Sequence, residues 1–394
     1  MLQRQGDYAA AEVLHRDALE KAERLYGEVH EQAIVCLHGL ASLLEERGQY
    51  ESADIAYHRA LANARQIFGK RHPRVASLLS DLGMLAAQRG DFTTAERHLR
   101  ESLSMQRRLY DGPHPSLASC IHNLAWLLFY GRGTYGDAEQ LFREALAMRR
   151  AVYGERHQEV LTSLEYLGLL LAHKADFNEA ESVLREAYEH CQRLLGGTHP
   201  KVADVSYALS HVLTMLNRHD EAEELILDSL DVCLVSRGNR HPSFLRIIWK
   251  LAVLRVHQGR FEEASTIFED VLPQIREAWG DDHPALAELI LPASVLSTYT
   301  GEFSHAEVLA REALQLYDNH VNSGHPHQAA IMGGLAKALV GQNKNAEAEV
   351  VARKSKEIFD NSLPDHTAVQ NSLDAHWWSP RNGARGAGFG ENRG

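Results

Sequence analysis

Residues 72–95, HPRVASLLSDLGMLAAQRGDFTTA, carry the pattern that decides the fold. After the opening His-Pro pair, apolar residues recur at the spacing of one face of an α-helix, at Val75, Leu78, Leu79, Leu82, Leu85 and Ala86. Proline suits the first turn of a helix, where its missing N–H has no partner to lose. Gly90 and Phe92 mark a turn, and Ala95 opens a second helical pattern. The stretch therefore predicts a helical hairpin.

The same pattern recurs along the chain. His-Pro pairs stand 42 residues or a multiple apart, allowing for one inserted residue, at His72, His114, His199, His241, His283 and His325. His30 and His157 hold the same register without the proline. A Gly-x-aromatic turn lies about 18 residues after five of these eight histidines, and in all of the repeats an alanine follows five residues after that glycine position. A hairpin repeated with this period is typical of an α-solenoid.

The repeated motif YG..HP.VA..L..LA......G.Y..AE.L...AL resembles the tetratricopeptide repeat (TPR) family, and its 42-residue length is similar to the kinesin light chain type. The resemblance runs from residue 1 to about residue 366. It implies an all-α fold, a right-handed α-solenoid (superhelix) of TPR helical hairpins. In such a fold the first helix of each hairpin lines the inner, concave wall.

This register predicts the organisation of the chain. Residues 1–29 form a partial repeat that holds the second helix of a hairpin, so we expect its apolar surface to be open or covered by something else. Eight tandem units fill 30–366 and start near 30, 72, 114, 157, 199, 241, 283 and 325. A terminal helix at 367–378 and a disordered Gly/Arg-rich tail at 379–394 follow. Pro273 and Pro292 fall inside predicted helices and should kink or end them.

Composition and motifs exclude several functions. The net charge of -12, with both signs interspersed, argues against nucleic-acid or membrane partners. No apolar run is long enough to span a bilayer, and the four cysteines are isolated, so we expect a cytoplasmic protein. No phosphate loop, nucleophile elbow or zinc motif occurs, so we expect no enzyme activity and no cofactor. The register histidines lie one per repeat, which favours helix capping over a shared metal ion.

Helix geometry predicts which residues face the groove. Counting from the register histidine as zero, positions +5, +8, +9, +12 and +16 lie opposite the apolar face. The candidate peptide-binding residues at these positions are His122, Asn123, Trp126, Tyr130, Glu165, Tyr166, His173, Tyr207, His211, Arg246, Trp249, Lys250 and His257. Exposed Trp and Tyr side chains suit a peptide-binding surface. The alternative is that superhelical curvature packs these rings against the helix of the next repeat.

The sequence thus predicts a protein-protein interaction scaffold that binds a peptide or partner segment in the concave groove. Kinesin light chains, as the resemblance implies, grip peptide backbones with Asn-Asn pairs, and only Asn123 matches them here. A kinesin cargo role is therefore not carried over. Two alternatives stay open: the sensor region of a larger signalling enzyme, such as a nucleotide-switch ATPase, and an array that self-associates through its N-terminal half-hairpin.

Overall fold

In the computed structural model, residues 8–47, 49–239, 241–281, 285–320 and 325–362 are described, and every regular element among them is helical. The chain divides into two compact units, Met1–Tyr166 and Leu167–Gly394. We call them the N-terminal and C-terminal units and describe each by itself. The predicted terminal helix at 367–378 and tail at 379–394 lie outside the described residues.

The helices follow the predicted hairpin register. Those that begin in the N-terminal unit are α1 (Tyr8–Tyr26), α2 (Glu31–Glu46), α3 (Tyr50–Phe68), α4 (Pro73–Gln88), α5 (Phe92–Leu109), α6 (Pro115–Trp126), which continues as a π-helix (Leu127–Arg132), α7 (Tyr135–Tyr153) and α8 (Gln158–His173). The division between the units falls within α8. The C-terminal unit continues with α9 (Phe177–Leu195), α10 (Pro200–Met215), α11 (His219–Arg237), α12 (Pro242–His257), α13 (Phe261–Trp279), α14 (Ala285–Tyr299), α15 (Phe303–His320), α16 (Pro326–Gly341) and α17 (Asn345–Ser362).

The register histidines cap the first helices. In each case the ring Nδ1 accepts a hydrogen bond of 3.1 or 3.2 Å from the backbone N–H two residues later, at His30, His72, His114, His157, His199, His241 and His325. The first N–H groups of a helix have no partner within the helix, so each ring satisfies one of them. The capping interpretation is therefore confirmed for these seven histidines, and His283 lies outside the described residues.

A common turn ends the first helices. The N–H at position +19 donates to the carbonyl at +14 in most repeats, for example from Asp91 to Ala86 at 2.9 Å, which closes a Schellman-type turn. Position +18 takes a left-handed backbone, which glycine adopts without strain. Where the sequence lacks that glycine, Ala175, Asn217 and Asn343 adopt the same conformation, with φ between 60° and 62°. The backbone turn is thus kept even where its usual residue is absent.

The third repeat absorbs its inserted residue in a π-helix. The distance from His114 to Gly133 is one residue longer than the corresponding distance in the other repeats. The turn still closes on position +14, because the N–H of Thr134 donates to Leu128 at 2.9 Å. The extra residue therefore lies between Leu128 and Gly133, where the helix widens into the π-helical turn.

Small residues let the two helices of a hairpin pack closely. The predicted alanines of the second helices are buried at Ala11, Ala53, Ala95, Ala138, Ala180, Ala222, Ala264, Ala306 and Ala348. On the first helices, a Cβ added at Gly83 would come within 2.7 Å of Leu99, and one at Gly168 within 2.5 Å of Leu184. The expectation that Pro273 and Pro292 could end their helices is wrong. Pro273 lies inside α13 and Pro292 inside α14, and both helices continue past the proline.

Candidate functional site on the first helices

The five predicted groove positions divide into a centre and two margins. At about 100° per residue, positions +5, +12 and +16 cluster within about 20° of one direction, while +8 and +9 lie about 40–60° to either side. Neighbouring first helices contact each other, as α4 does with α6 and α10 with α12. Side chains at +8 and +9 therefore point toward the first helices on either side.

The structure shows this sideways contact in repeat after repeat. Position +8 of one repeat meets position +9 of the next in five pairs: His38 with Asp81 at 2.9 Å, Ser80 with Asn123 at 3.3 Å, the His122 and Tyr166 rings with centroids 5.2 Å apart, Lys250 Nζ 5.7 Å from the Tyr207 ring centroid, and Leu291 against Gly334. We call this set the inter-helix ladder. Packing between repeats, the alternative interpretation of the sequence, thus applies to the margin positions.

Four predicted groove residues are buried, and the expectation that they are open to water is wrong for them. Trp249 is 2% exposed and its ring packs 4.4 Å from that of Phe268, within the apolar core of the C-terminal unit. Lys250, His122 and Glu165 are likewise buried. All four occupy margin positions, so the adjacent first helix helps to cover them. These four residues can therefore support the candidate surface, although they are not exposed on it.

Six rings of the N-terminal unit form one continuous cluster, which we call the ring cluster. Its members are His122, Trp126, Phe129, Tyr130, Phe142 and Tyr166. Phe129 and Phe142 are fully buried, whereas Trp126, Tyr130 and Tyr166 are half-buried. The Trp126 and Tyr130 centroids lie 5.4 Å apart, and those of Tyr130 and Tyr166 lie 6.4 Å apart. The cluster is therefore core at its base and partly open at its outer edge.

A buried arginine that the sequence interpretation missed supports the ring cluster. Arg149 on α7 is 3% exposed. Its guanidinium pairs with the Glu159 carboxylate at 2.8 Å, donates to Ser163 Oγ at 2.8 Å and lies 3.4 Å from His122 Nδ1. Burial and this positive neighbour lower the pKa of His122 to about 3, so the imidazole is neutral and can accept. Once the insertion is allowed for, Arg149 occupies a register position that is apolar in most repeats, such as Cys233 and Ile275, and that mismatch was the available signal.

The C-terminal unit carries cationic groups on its first helices, at positions +5 and +9 of α12. Lys250 Nζ contacts His211 Nδ1, and the Arg246 guanidinium lies 4.8 Å from the centroid of the Tyr207 ring. Arg246 is exposed, while Tyr207 and His211 are half-buried. Burial and the charge of Arg246 lower the pKa of Lys250 to about 7. We call these four residues the cationic cluster.

Two further predicted residues lie in the same unit. His173, at the end of α8, meets His327, at the start of α16, with Nδ1 and Nε2 3.0 Å apart although 154 residues separate them. Burial, followed by the charges of Lys250 and His219, lowers the pKa of His257 to about 4. Within the described residues, no group of three or more His, Cys, Asp or Glu side chains is arranged to hold a metal ion. No helix in that part of the chain has the length and apolar composition to cross a membrane.

Hairpins of this register, stacked through their first helices, define an α-solenoid of helical repeats. A family model described as tetratricopeptide repeat matches residues 1–66, 40–108, 74–151, 128–191 and 159–234. The chain belongs to the tetratricopeptide repeat family, and its 42-residue, kinesin light chain-like repeats run through the described helices. No curated protein matches the sequence.

Several solved structures share the fold. BtubC (BKLC) from P. vanneervenii is 20% identical, with a TM-score of 0.53 over 59% of this chain and 92% of that one. The apo form of the quorum sensor NprR from B. thuringiensis is 15% identical, with a TM-score of 0.57 over 90% and 99%. A Rap protein complexed with competence and sporulation factor is 13% identical, with a TM-score of 0.55 over 90% and 99%. At these identities the likeness is one of fold.

Proposed function

We propose that this chain is a protein-interaction scaffold and that it binds a peptide or an extended partner segment along its first helices. In the N-terminal unit the contact surface is the outer edge of the ring cluster, formed by Trp126, Tyr130 and Tyr166. In the C-terminal unit it includes His211 and Arg246. The buried candidates His122, Glu165, Trp249 and Lys250 hold this surface in place or contribute charge to it.

The observation that carries the proposal is the half-buried state of Trp126, Tyr130 and Tyr166. Each ring packs partly against a neighbouring ring of the cluster and is partly open to water, so a partner gains apolar contact without having to order a mobile side chain. Aromatic side chains that are held by well-packed neighbours contribute most of the binding energy in many protein interfaces. The Rap protein of the same fold is seen in complex with competence and sporulation factor.

The test is to select binding peptides from a random displayed library against the full chain and to measure their affinity by fluorescence anisotropy. For a peptide that uses the ring cluster, Trp126→Ala and Tyr130→Ala should each weaken binding by about tenfold or more, the loss expected of an interface hot spot. Leu227→Ala, which removes a side chain that is 46% exposed on the second helix α11, is the matched control and should bind as the parent does.

Circular dichroism should show unchanged helical content in all three variants. Equal affinity of the selected peptides for the parent, Trp126→Ala and Tyr130→Ala would place binding elsewhere and reject this surface.

A further inference from the structure

The outward face of the second helix α11 breaks a charge pattern that most of the other second helices keep. Five residues after the recurring alanine, an arginine occurs in six of the nine sequence repeats. Each pairs with the glutamate one turn before it at 2.8 or 2.9 Å, at Arg16, Arg100, Arg143, Arg185, Arg311 and Arg353. In α11 the same position holds Leu227, and Glu223, one turn before it, pairs with Arg255 of α12 instead.

A second arginine is replaced one face-length further along α11. In the preceding second helix, α9, Arg193 pairs with Glu189 one turn before it at 2.8 Å. The corresponding residues of α11 are Val235 and Asp231, so the carboxylate is kept while its cation is lost. The helix α9 therefore shows what α11 would look like with the usual charges in place.

Arginines that join neighbouring second helices are missing here as well. Arg276 of α13, for example, pairs with Glu312 of α15 at 2.6 Å. The two preceding second helices lack an arginine at that position but keep the acceptor carboxylate on the helix that follows, as Gln192 before Asp228 and Leu234 before Asp270. Within the described residues, no lysine, arginine or histidine lies within salt-bridge distance of Asp228, Asp231 or Asp270.

These changes leave an exposed stripe of apolar and acidic side chains, which we call the α11 stripe. Its members recur three or four residues apart and so share one side of the helix: Glu224, Leu227, Asp228, Asp231, Leu234 and Val235. Val235 is 84% exposed, and Leu227 and Leu234 are 46% and 48% exposed. The stripe therefore offers neighbouring apolar groups to water with carboxylates between them.

This combination favours a partner that is both apolar and cationic. Apolar side chains that lie together on a surface gain free energy when a partner covers them. The carboxylates between them attract lysine and arginine side chains, and they repel anionic membranes and nucleic acids. Since α11 carries six acidic residues and a single arginine, the field of the whole helix favours the same sign of partner.

We propose that the α11 stripe is a docking surface for a cationic amphipathic helix of another protein. Apolar side chains of that helix cover Leu227, Leu234 and Val235. Its lysine or arginine side chains pair with the carboxylates of Asp228 and Asp231, in place of the arginines that other repeats supply from within the chain. A helix fits because its side chains repeat at the spacing of the stripe. The surface lies on a second helix, apart from the first-helix residues of the scaffold proposal.

The experiment measures, by fluorescence anisotropy, how the full chain binds a labelled helical peptide of leucine and lysine with 19 residues, the length of α11. We expect binding that weakens as salt is added, and none by a leucine-glutamate peptide of the same pattern. The double variant Leu227→Arg, Val235→Arg carries arginine where α9 does and should bind about tenfold more weakly or worse. Val308→Arg with Val350→Arg adds the same charge at exposed residues of α15 and α17 and should bind as the parent does.

Circular dichroism should show the same helical content in the parent and in both double variants. Equal affinity of the parent and the α11 double variant for the leucine-lysine peptide would overturn the proposal, because net charge alone would then account for binding. Sedimentation without peptide tests a second copy of the chain as the occupant. A dimer that the α11 double variant abolishes would also overturn the proposal.

The chain's own Gly/Arg-rich tail is the remaining alternative occupant. Tighter peptide binding after Arg381→Ser, Arg385→Ser and Arg393→Ser would assign the stripe to the tail and overturn the proposal in the same way. None of these outcomes affects the scaffold proposal, because that test depends on Trp126 and Tyr130 on a first helix.

Discussion

Arg149 in the N-terminal unit and Lys250 in the C-terminal unit are both buried cations beneath the predicted groove, yet their surroundings are opposite. Arg149 has the Glu159 carboxylate, the Ser163 hydroxyl and a neutral imidazole around it. Lys250 has a histidine, an aromatic face and a second cation. Arg149 thus pairs with a carboxylate, whereas Lys250 has no carboxylate within salt-bridge distance among the side chains that the structure describes.

This difference shows that the same repeat register can bury a cation beside a carboxylate in one repeat and beside a histidine and an aromatic ring in another. A buried charge that is paired and hydrogen-bonded holds its neighbours in a single arrangement. A buried charge without such partners lowers the stability of the folded state. The ring cluster accordingly has a fixed base, whereas burial and the charge of Arg246 disfavour the charged form of Lys250. The predictions below test each half of this comparison.

The largest expected effect on stability comes from removing the buried Arg149, which pairs with Glu159. Arg149→Met removes the partner of Ser163 and of the Glu159 backbone carbonyl, and should lower the free energy of unfolding by about 2–4 kcal/mol. Arg107→Met, which breaks an exposed pair with Glu144, should change it by less than about 1 kcal/mol. Urea denaturation of the two variants measures the contrast. An Arg149→Met variant as stable as the parent would mean that the site is held by packing alone.

Lys250→Met should act in the opposite direction and increase stability at pH 7 by roughly 1–3 kcal/mol, because it replaces a poorly paired charge with an apolar chain. The folded-state pKa of Lys250, about 7, lies below the unfolded value of 10.5, so between those values only the unfolded chain carries the proton. The parent should therefore gain stability as the pH rises from about 7 to 10.5. Urea midpoints across that range should rise for the parent and stay flatter for the variant; parallel curves would mean that folding does not lower the pKa of Lys250.

The smallest effect concerns the ladder pair of His38 and Asp81, which occupies the same +8 and +9 positions as Tyr207 and Lys250. The hydrogen bond to Asp81 raises the pKa of His38, so its stabilisation is present at acid pH and is lost as the pH rises through that raised value. Both side chains are at least a third exposed, so less than about 0.5 kcal/mol is at stake. NMR titration should show the His38 pKa falling in Asp81→Asn. An unchanged value would mean that the pair is not formed in solution.

Much of the fold follows from the sequence because it depends on local chemistry. The His-Pro pair, the apolar spacing and the turn 18 residues later specify a hairpin without reference to other repeats. The capping role of His72 and the close alanines such as Ala95 were foreseen for that reason. Even the turns that lack glycine, at Ala175 and Asn217, obey the register.

The candidate site was predicted less completely, because helical periodicity fixes a direction around one axis and not the distance to the neighbouring helix. The periodicity placed Trp126 and Trp249 on the same face of their helices. Trp126, at position +12, lies at the centre of that face, whereas Trp249, at position +8, lies at its margin. Half-buried Trp126 and fully buried Trp249 follow from that difference. Arg149 escaped notice because it belongs to a second helix, outside the positions considered.

The widened turn at Leu127–Arg132 has a consequence for how such an array changes over time. Because the surplus residue is taken up before Thr134, the second helix of the repeat still begins with the usual hydrogen bond, here from the N–H of Ala138 to the carbonyl of Thr134. A lengthened repeat therefore imposes no compensating mutation on later copies. Individual copies can then acquire or lose a residue, and with it a new side-chain orientation, while the remainder of the array is inherited intact.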